Sequence, residues 1–233
     1  TLDGGDGADS LTGGTGDDTY LFDTNDVDSG ESITENVGEG TDEIRLSSNT
    51  DFSNMTVASF NEIEAINLGN NRTGTFTGAQ LTGETLDLKE TGTGVSSVII
   101  NVGSGTTATF TNITASTFDS GSDTFTINGT TGNENITAAN IVSSIFGGSG
   151  DDTLVAGTTD DILDGGDGAD SLTGGTGDDV YLFDAGDVDS GERIIENASE
   201  GTDVISLDEN VDFSLLPAND FNEIEQIRFA GSS

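Results

Sequence analysis

Along residues 129–182 an apolar side chain returns at every ninth position: Ile136, Ile145, Leu154, Leu163, Leu172 and Tyr181. Leu11 and Tyr20 repeat the pattern near the start of the chain. Three residues around each apolar position suffice for a very short strand whose middle side chain alone faces inward. The intervening residues then form a turn, such as Gly165-Gly166-Asp167-Gly168-Ala169-Asp170. Six such units follow without insertion: Gly129–Thr137, Ala138–Phe146, Gly147–Val155, Ala156–Asp164, Gly165–Thr173 and Gly174–Leu182. Their sixth position is Asp152, Asp161, Asp170 or Asp179 in the regular units, and Glu134 or Ser143 in the weaker ones. Asp9 and Asp18 hold that position in the first block.

Between the blocks the pattern changes. Ile44/Leu46, Leu86/Leu88 and Phe125/Ile127 alternate with polar neighbours, which predicts half-buried strands, and Val98-Ile99-Ile100 reads as a short buried run. Gly and Asn clusters at 69–74, 91–94 and 101–105 predict turns. Thr106-Thr107-Ala108-Thr109 suits a half-exposed strand, or a ligand- or ice-binding face. A longer period is superimposed. Residues 1–68 align without gaps on 162–229, identical at about two positions in three, and Leu2–Asp18 recurs unchanged as Leu163–Asp179. A tandem array is the natural parent of that arrangement, although an isolated duplicated domain has the same signature. The expected organisation is a repeat block at 1–35, a β-rich segment at 36–128, a second block at 129–192, and a β-rich segment at 193–233 that repeats 32–72.

Charge sharpens the picture. The chain of 233 residues carries 44 acidic and 5 basic side chains, a formal net charge of -39. That balance disfavours nucleic acid and anionic membrane surfaces, both of which need clustered Lys and Arg. It also opposes compaction unless something neutralises it. Thirty-four glycines and many Thr, Ser, Asn and Asp exclude a helical bundle. With no His and no Cys, a thiol nucleophile, the usual catalytic triad, a zinc site and a disulfide framework are all out of reach. No apolar stretch approaches the length of a membrane span. The start at Thr1-Leu2-Asp3 lacks a basic n-region and an apolar h-region, and the chain reads as cut from something longer.

Glycine reaches positive φ without penalty and leaves backbone carbonyls uncovered. Several carbonyls and one carboxylate per turn suit a hard cation, and calcium accepts six to eight oxygens at flexible geometry. Magnesium demands tighter octahedral geometry. The Gly-Gly-x-Gly-x-Asp-x-apolar-x unit resembles the nonapeptide of RTX (haemolysin-type calcium-binding) repeat proteins. The resemblance implies an all-β fold with parallel β-roll blocks, two nonapeptides per coil, alternating here with a β-sandwich or solenoid-like β segment. It implies several Ca2+ ions between turns 18 residues apart. Gly147, Ser149 and Asp152 would share an ion with Gly166, Gly168 and Asp170. Ala156, Thr158 and Asp161 would share one with Gly175, Gly177 and Asp179. Gly129, Thr131 and Glu134 would pair with Gly148, Gly150 and Asp152, while the turn carrying Ser143 departs from the pattern. Asp9 and Asp18 are the expected ligands of the first block. Each block ends alike, in Asp23, Asp26 and Asp28 or in Asp184, Asp187 and Asp189, either closing the last sites or forming Asx turns.

The stretch Asn61–Leu68 and the glycine-spaced strands after it also resemble bacterial S-layer and large adhesin β-repeat regions. Three functions follow as expectations. The first is a secreted, non-catalytic surface structure (S-layer, sheath, filament or adhesin segment) that self-associates or forms a tandem array at the cell surface. The second is the calcium-dependent folding and secretion module of a larger secreted enzyme. The third is a carbohydrate- or ice-binding adhesin module.

Overall fold

The computed structural model describes all residues except 39, 120, 197–200, 209, 222 and 230–233. The chain forms two compact units, Thr1–Asn101 with Asn112–Phe125, and Val102–Thr111 with Thr126–Ser233. Each is a stretch of parallel β-solenoid, in which successive coils lay short strands side by side.

In the second unit the strands Thr107–Thr109, Asn135–Thr137, Thr153–Val155, Ser171–Thr173 and Arg193–Ile195 stack into one parallel sheet. Ser143–Ser149, Ile162–Asp167, Val180–Phe183, Asp203–Leu207 and Ile224–Phe229 stack into another. The ninth-position side chains become two columns, Ile136–Leu154–Leu172 and Ile145–Leu163–Tyr181, which Ile194 and Ile205 continue beyond the block. Every member of both columns is buried. One inward side chain per three-residue strand therefore makes a narrow, continuous core.

The first unit pairs Leu2–Asp3, Thr19–Phe22, Glu43–Leu46, Ala65–Asn67, Leu86–Lys89 and Ile113–Ala115 in one parallel sheet. Ser10–Thr12 pairs with Ser32–Thr34, and Thr50–Asp51 and Ser97–Asn101 flank Thr73–Thr77. Of the two architectures expected for residues 36–128, the solenoid is the one found; every pairing among the described residues is parallel. These coils are longer than a pair of nonapeptides, with cross-coil contacts 22 to 27 residues apart. Aromatic rings fill the extra width. Phe52 stacks on Phe76 at 4.9 Å and meets Phe22 edge-on at 5.3 Å, and Phe60 packs edge-on against both Phe52 and Phe76. A single helical turn, Gly78–Leu81, is held by a capping box between Thr77 and Gln80. The buried Gln80 amide donates to the carbonyls of Phe52 and Met55 at 2.7 and 2.9 Å.

Two local expectations need correction. Val98-Ile99-Ile100 is an alternating strand, with Ile99 only half-buried between buried Val98 and Ile100. The turns predicted at 69–74 and 101–105 are shorter, because Thr73 and Asn101 already belong to strands.

Candidate metal centres

Sixth-position carboxylates line the two edges of the second unit as ladders. Along one edge, Glu134 donates its backbone N–H to Asp152 Oδ1 at 2.6 Å, Asp152 to Asp170 Oδ1 at 2.7 Å, and Asp170 to Glu192 Oε2 at 2.8 Å. Along the other, Ser143 donates to Asp161 at 2.6 Å, Asp161 to Asp179 at 2.8 Å, Asp179 to Asp203 at 3.0 Å and Asp203 to Glu225 at 2.7 Å. The donor and acceptor lie 18 residues apart inside the nonapeptide block and 22 to 24 apart beyond it. A nine-residue frame can find the first set; it is blind to the second.

The ladder uses one oxygen of each carboxylate. The second oxygens of Asp152, Asp170, Asp179 and Glu192 are buried with no hydrogen-bond partner. Leaving such atoms unpaired is costly. Burial pushes the carboxyls of Asp152 and Asp179 up to about 6, those of Asp161 and Asp170 to about 7, and that of Glu192 to about 8. Neighbouring acids, among them Glu134, Asp151, Asp187 and Asp203, push in the same direction. A divalent cation answers both the missing partner and the repulsion.

Glu134 and Asp161 differ. Both Glu134 oxygens accept backbone N–H groups, from Thr130 at 2.9 Å and Gly105 at 2.6 Å. Asp161 takes Ser143 N–H on one oxygen and Gly157 N–H, at 3.2 Å, on the other. Ser143 turns its hydroxyl onto the Ile141 carbonyl of its own turn.

The turns between these carboxylates stack directly. Gly148 lies opposite Gly166 and Ser149 opposite Asp167, with Gly150 N–H donating to the Asp167 carbonyl at 2.8 Å. Gly166 and Gly168 have φ of 85° and 137°, and a Cβ on either would fall on the carbonyl oxygen of Gly148 or Gly150. A Cβ on Gly147 would meet the unpartnered Asp152 oxygen. At the other edge, Gly175 (φ 100°) lies against the Gly157 carbonyl and Gly177 (φ 127°) against Thr159. Ala156 is buried there and Thr158 exposed. The structure therefore brings Gly147, Ser149, Asp152, Gly166, Gly168 and Asp170 to one edge. Ala156, Thr158, Asp161, Gly175, Gly177 and Asp179 share the other.

In the first unit Asp9 donates its N–H to Glu31 Oε2 at 2.8 Å, Asp18 to Asp42 Oδ1 at 2.9 Å and Asp42 to Glu64 Oε2 at 2.7 Å. Glu31, Asp42 and Glu64 are the counterparts of Glu192, Asp203 and Glu225. None of these six stands in the nonapeptide frame; their identity in both copies of the 161-residue period was the available signal. Asp26 and Asp187 are also buried, and each accepts the N–H of the Asp three positions earlier, Asp23 or Asp184. Asn25 N–H closes an Asx turn on Asp23 at 2.9 Å.

Residues 1–24 and 144–187 match the family profile of the RTX calcium-binding nonapeptide repeat, in four copies. These segments are RTX repeats. RTX repeats bind Ca2+, and the residues here fit that ion: all-oxygen donors, backbone carbonyls stacked at glycine turns, and buried carboxylate oxygens without a hydrogen-bond partner. No curated protein and no solved structure matches the chain. Among the described residues no helix is long and apolar enough to cross a membrane.

Proposed function

We propose that the chain is a secreted, non-catalytic structural segment of a cell-surface layer, sheath, filament or adhesin, whose folding and assembly are driven by calcium. One observation carries the structural reading. Residues 1–68 recur at 162–229, and the equivalent strands Ala65–Asn67 and Ile224–Phe229 both stack in parallel solenoid sheets. Solenoids propagate by such stacking, which supports a tandem array of this period or self-association.

The ligands of the RTX edges in this reading are Asp152, Asp170, Asp161 and Asp179, with the turn carbonyls around Gly147, Ser149, Gly166 and Gly168 and around Ala156, Thr158, Gly175 and Gly177. Asp9 and Asp18 serve the first unit. Ions neutralise the carboxylate columns that otherwise repel. At dissociation constants of ~10⁻⁴ to 10⁻³ M, external calcium near ~10 mM adds roughly 1.4 to 2.7 kcal/mol per site. Cytosolic calcium adds nothing. The fold is accordingly at its weakest inside the cell and gains its stability outside, in keeping with the export of RTX relatives in the unfolded state.

Electron microscopy of the purified protein with and without calcium tests the proposal. Ordered filaments or sheets that dissolve on chelation support it. Dispersed monomers with measurable hydrolytic activity overturn it.

A further inference from the structure

Each unit carries one tyrosine, and each tyrosine touches a carboxylate cluster that reaches past the last nonapeptide. In the second unit Asp179, Glu196 and Asp203 present three carboxylate oxygens within 4.8 Å of one another. In the first, Asp18, Glu35 and Asp42 do the same at the equivalent positions. A cluster of acids alone proves nothing. Asp179, however, is 0% exposed; one oxygen accepts the Asp161 N–H and the other has no partner. Glu35 Oε2 is likewise buried and unpartnered.

The tyrosines explain how the glutamates are held. Gly174 N–H donates to the Tyr181 hydroxyl at 2.8 Å, which leaves the phenolic proton to be donated to Glu196 Oε1. Tyr20 donates to Glu35 Oε1 in the same way. Burial and the adjacent glutamate hold both phenols above their ordinary range, so they remain donors. A Cβ on Gly174 would collide with Asp179 Oδ2, Glu196 Oε1 and the Tyr181 hydroxyl together. Gly13 is walled by the matching atoms of Asp18, Glu35 and Tyr20. Glycine at this position is therefore part of the cluster's shape.

We propose that Asp179–Glu196–Asp203 and Asp18–Glu35–Asp42 each bind a calcium ion that ties the segment after the repeat block back onto the block, with Tyr181 and Tyr20 as positioning residues. The proposal rests on the calcium reading of the RTX turns and adds sites whose glutamate and last aspartate lie outside any nonapeptide. Three carboxylate oxygens within 4.8 Å of one another can all reach one calcium ion, whose coordination diameter is about 4.6–5.2 Å.

The chain has two tyrosines and no tryptophan, so tyrosine-sensitised terbium luminescence reads these two places. The parent should show saturable emission displaced by calcium. Glu35→Gln/Glu196→Gln should weaken the terbium and calcium affinity of two sites at least ~10-fold while the calcium-induced circular dichroism change persists. Identical terbium and calcium titrations for parent and variant overturn the proposal. A parent without any calcium-induced circular dichroism change overturns the calcium reading beneath it. If the Gln variant does not fold, Tyr20→Phe/Tyr181→Phe keeps the carboxylates and removes their anchor. Calcium binding at two sites then weakens about 10-fold, and an unchanged calcium titration overturns the proposal.

Discussion

Asp170 stands between two neighbours of the same kind, accepting from Asp152 and donating its own N–H to Glu192. Its second oxygen is buried and unpartnered. Asp170→Asn keeps the hydrogen bond and removes the charge, so its effect changes sign with calcium. In chelator the variant should be at least as stable as the parent, because a repelling carboxylate has gone. With calcium present, its midpoint in a calcium titration followed by circular dichroism should rise at least ~10-fold. A variant that behaves alike in both buffers would show that Asp170 contacts no ion. Glycine is tested by a paired comparison. Gly5 and Gly166 share a positive φ, 73° and 85°, but Gly5 has open space where a Cβ would go and Gly166 has the Gly148 carbonyl. Gly5→Ala should cost about 1 kcal/mol for the left-handed backbone alone. Gly166→Ala should cost about 2 kcal/mol or more in urea denaturation, since backbone must also move.

At the scale of elements, the coil is the unit, and its length decides what could be read in advance. A nonapeptide pair makes an 18-residue coil, so Ile145, Leu163 and Tyr181 fall in register by counting. Beyond the blocks the coil absorbs four to nine more residues, as in the turn Asp184–Asp187 or the helical turn Gly78–Leu81. No fixed period survives such insertions. That is why Glu31, Asp42, Glu192 and Asp203 escaped the frame although they continue the ladder begun by Asp9, Asp18, Asp170 and Asp179. The choice between solenoid and sandwich was open for a related reason. Alternation in Ile44/Leu46 or Leu86/Leu88 shows that one face is buried and says nothing about which strand lies beside it. Within the block, a core one side chain wide has little ability to relax. Leu163→Ala, a fully buried residue stacked between Ile145 and Tyr181, should lose about 2–5 kcal/mol of calcium-loaded stability, measured by urea denaturation in saturating calcium.

For the whole molecule, protons and calcium compete for the same oxygens. In the calcium-free fold Asp152 and Asp179 hold their protons to about pH 6, Asp161 and Asp170 to about 7, and Glu192 to about 8. In the unfolded chain such groups ionise near ~4. Between those limits the folded state binds more protons than the unfolded one, so stability falls as pH rises through the window and levels off above about 8. Chelated protein should therefore be more stable to urea at pH 5 than at pH 8, the reverse of ordinary acid denaturation. Calcium inverts the slope, because the ion needs the carboxylates ionised and its binding releases protons. The increment in stability on adding calcium should be largest at pH 8 and shrink towards pH 5. Urea midpoints measured at both pH values, with chelator and with calcium, give four numbers whose crossing is the signature. Parallel shifts with pH in the two buffers would mean that these carboxylates do not bind the ion. A fold with this response is weakened by its own charge until it meets calcium at neutral or alkaline pH.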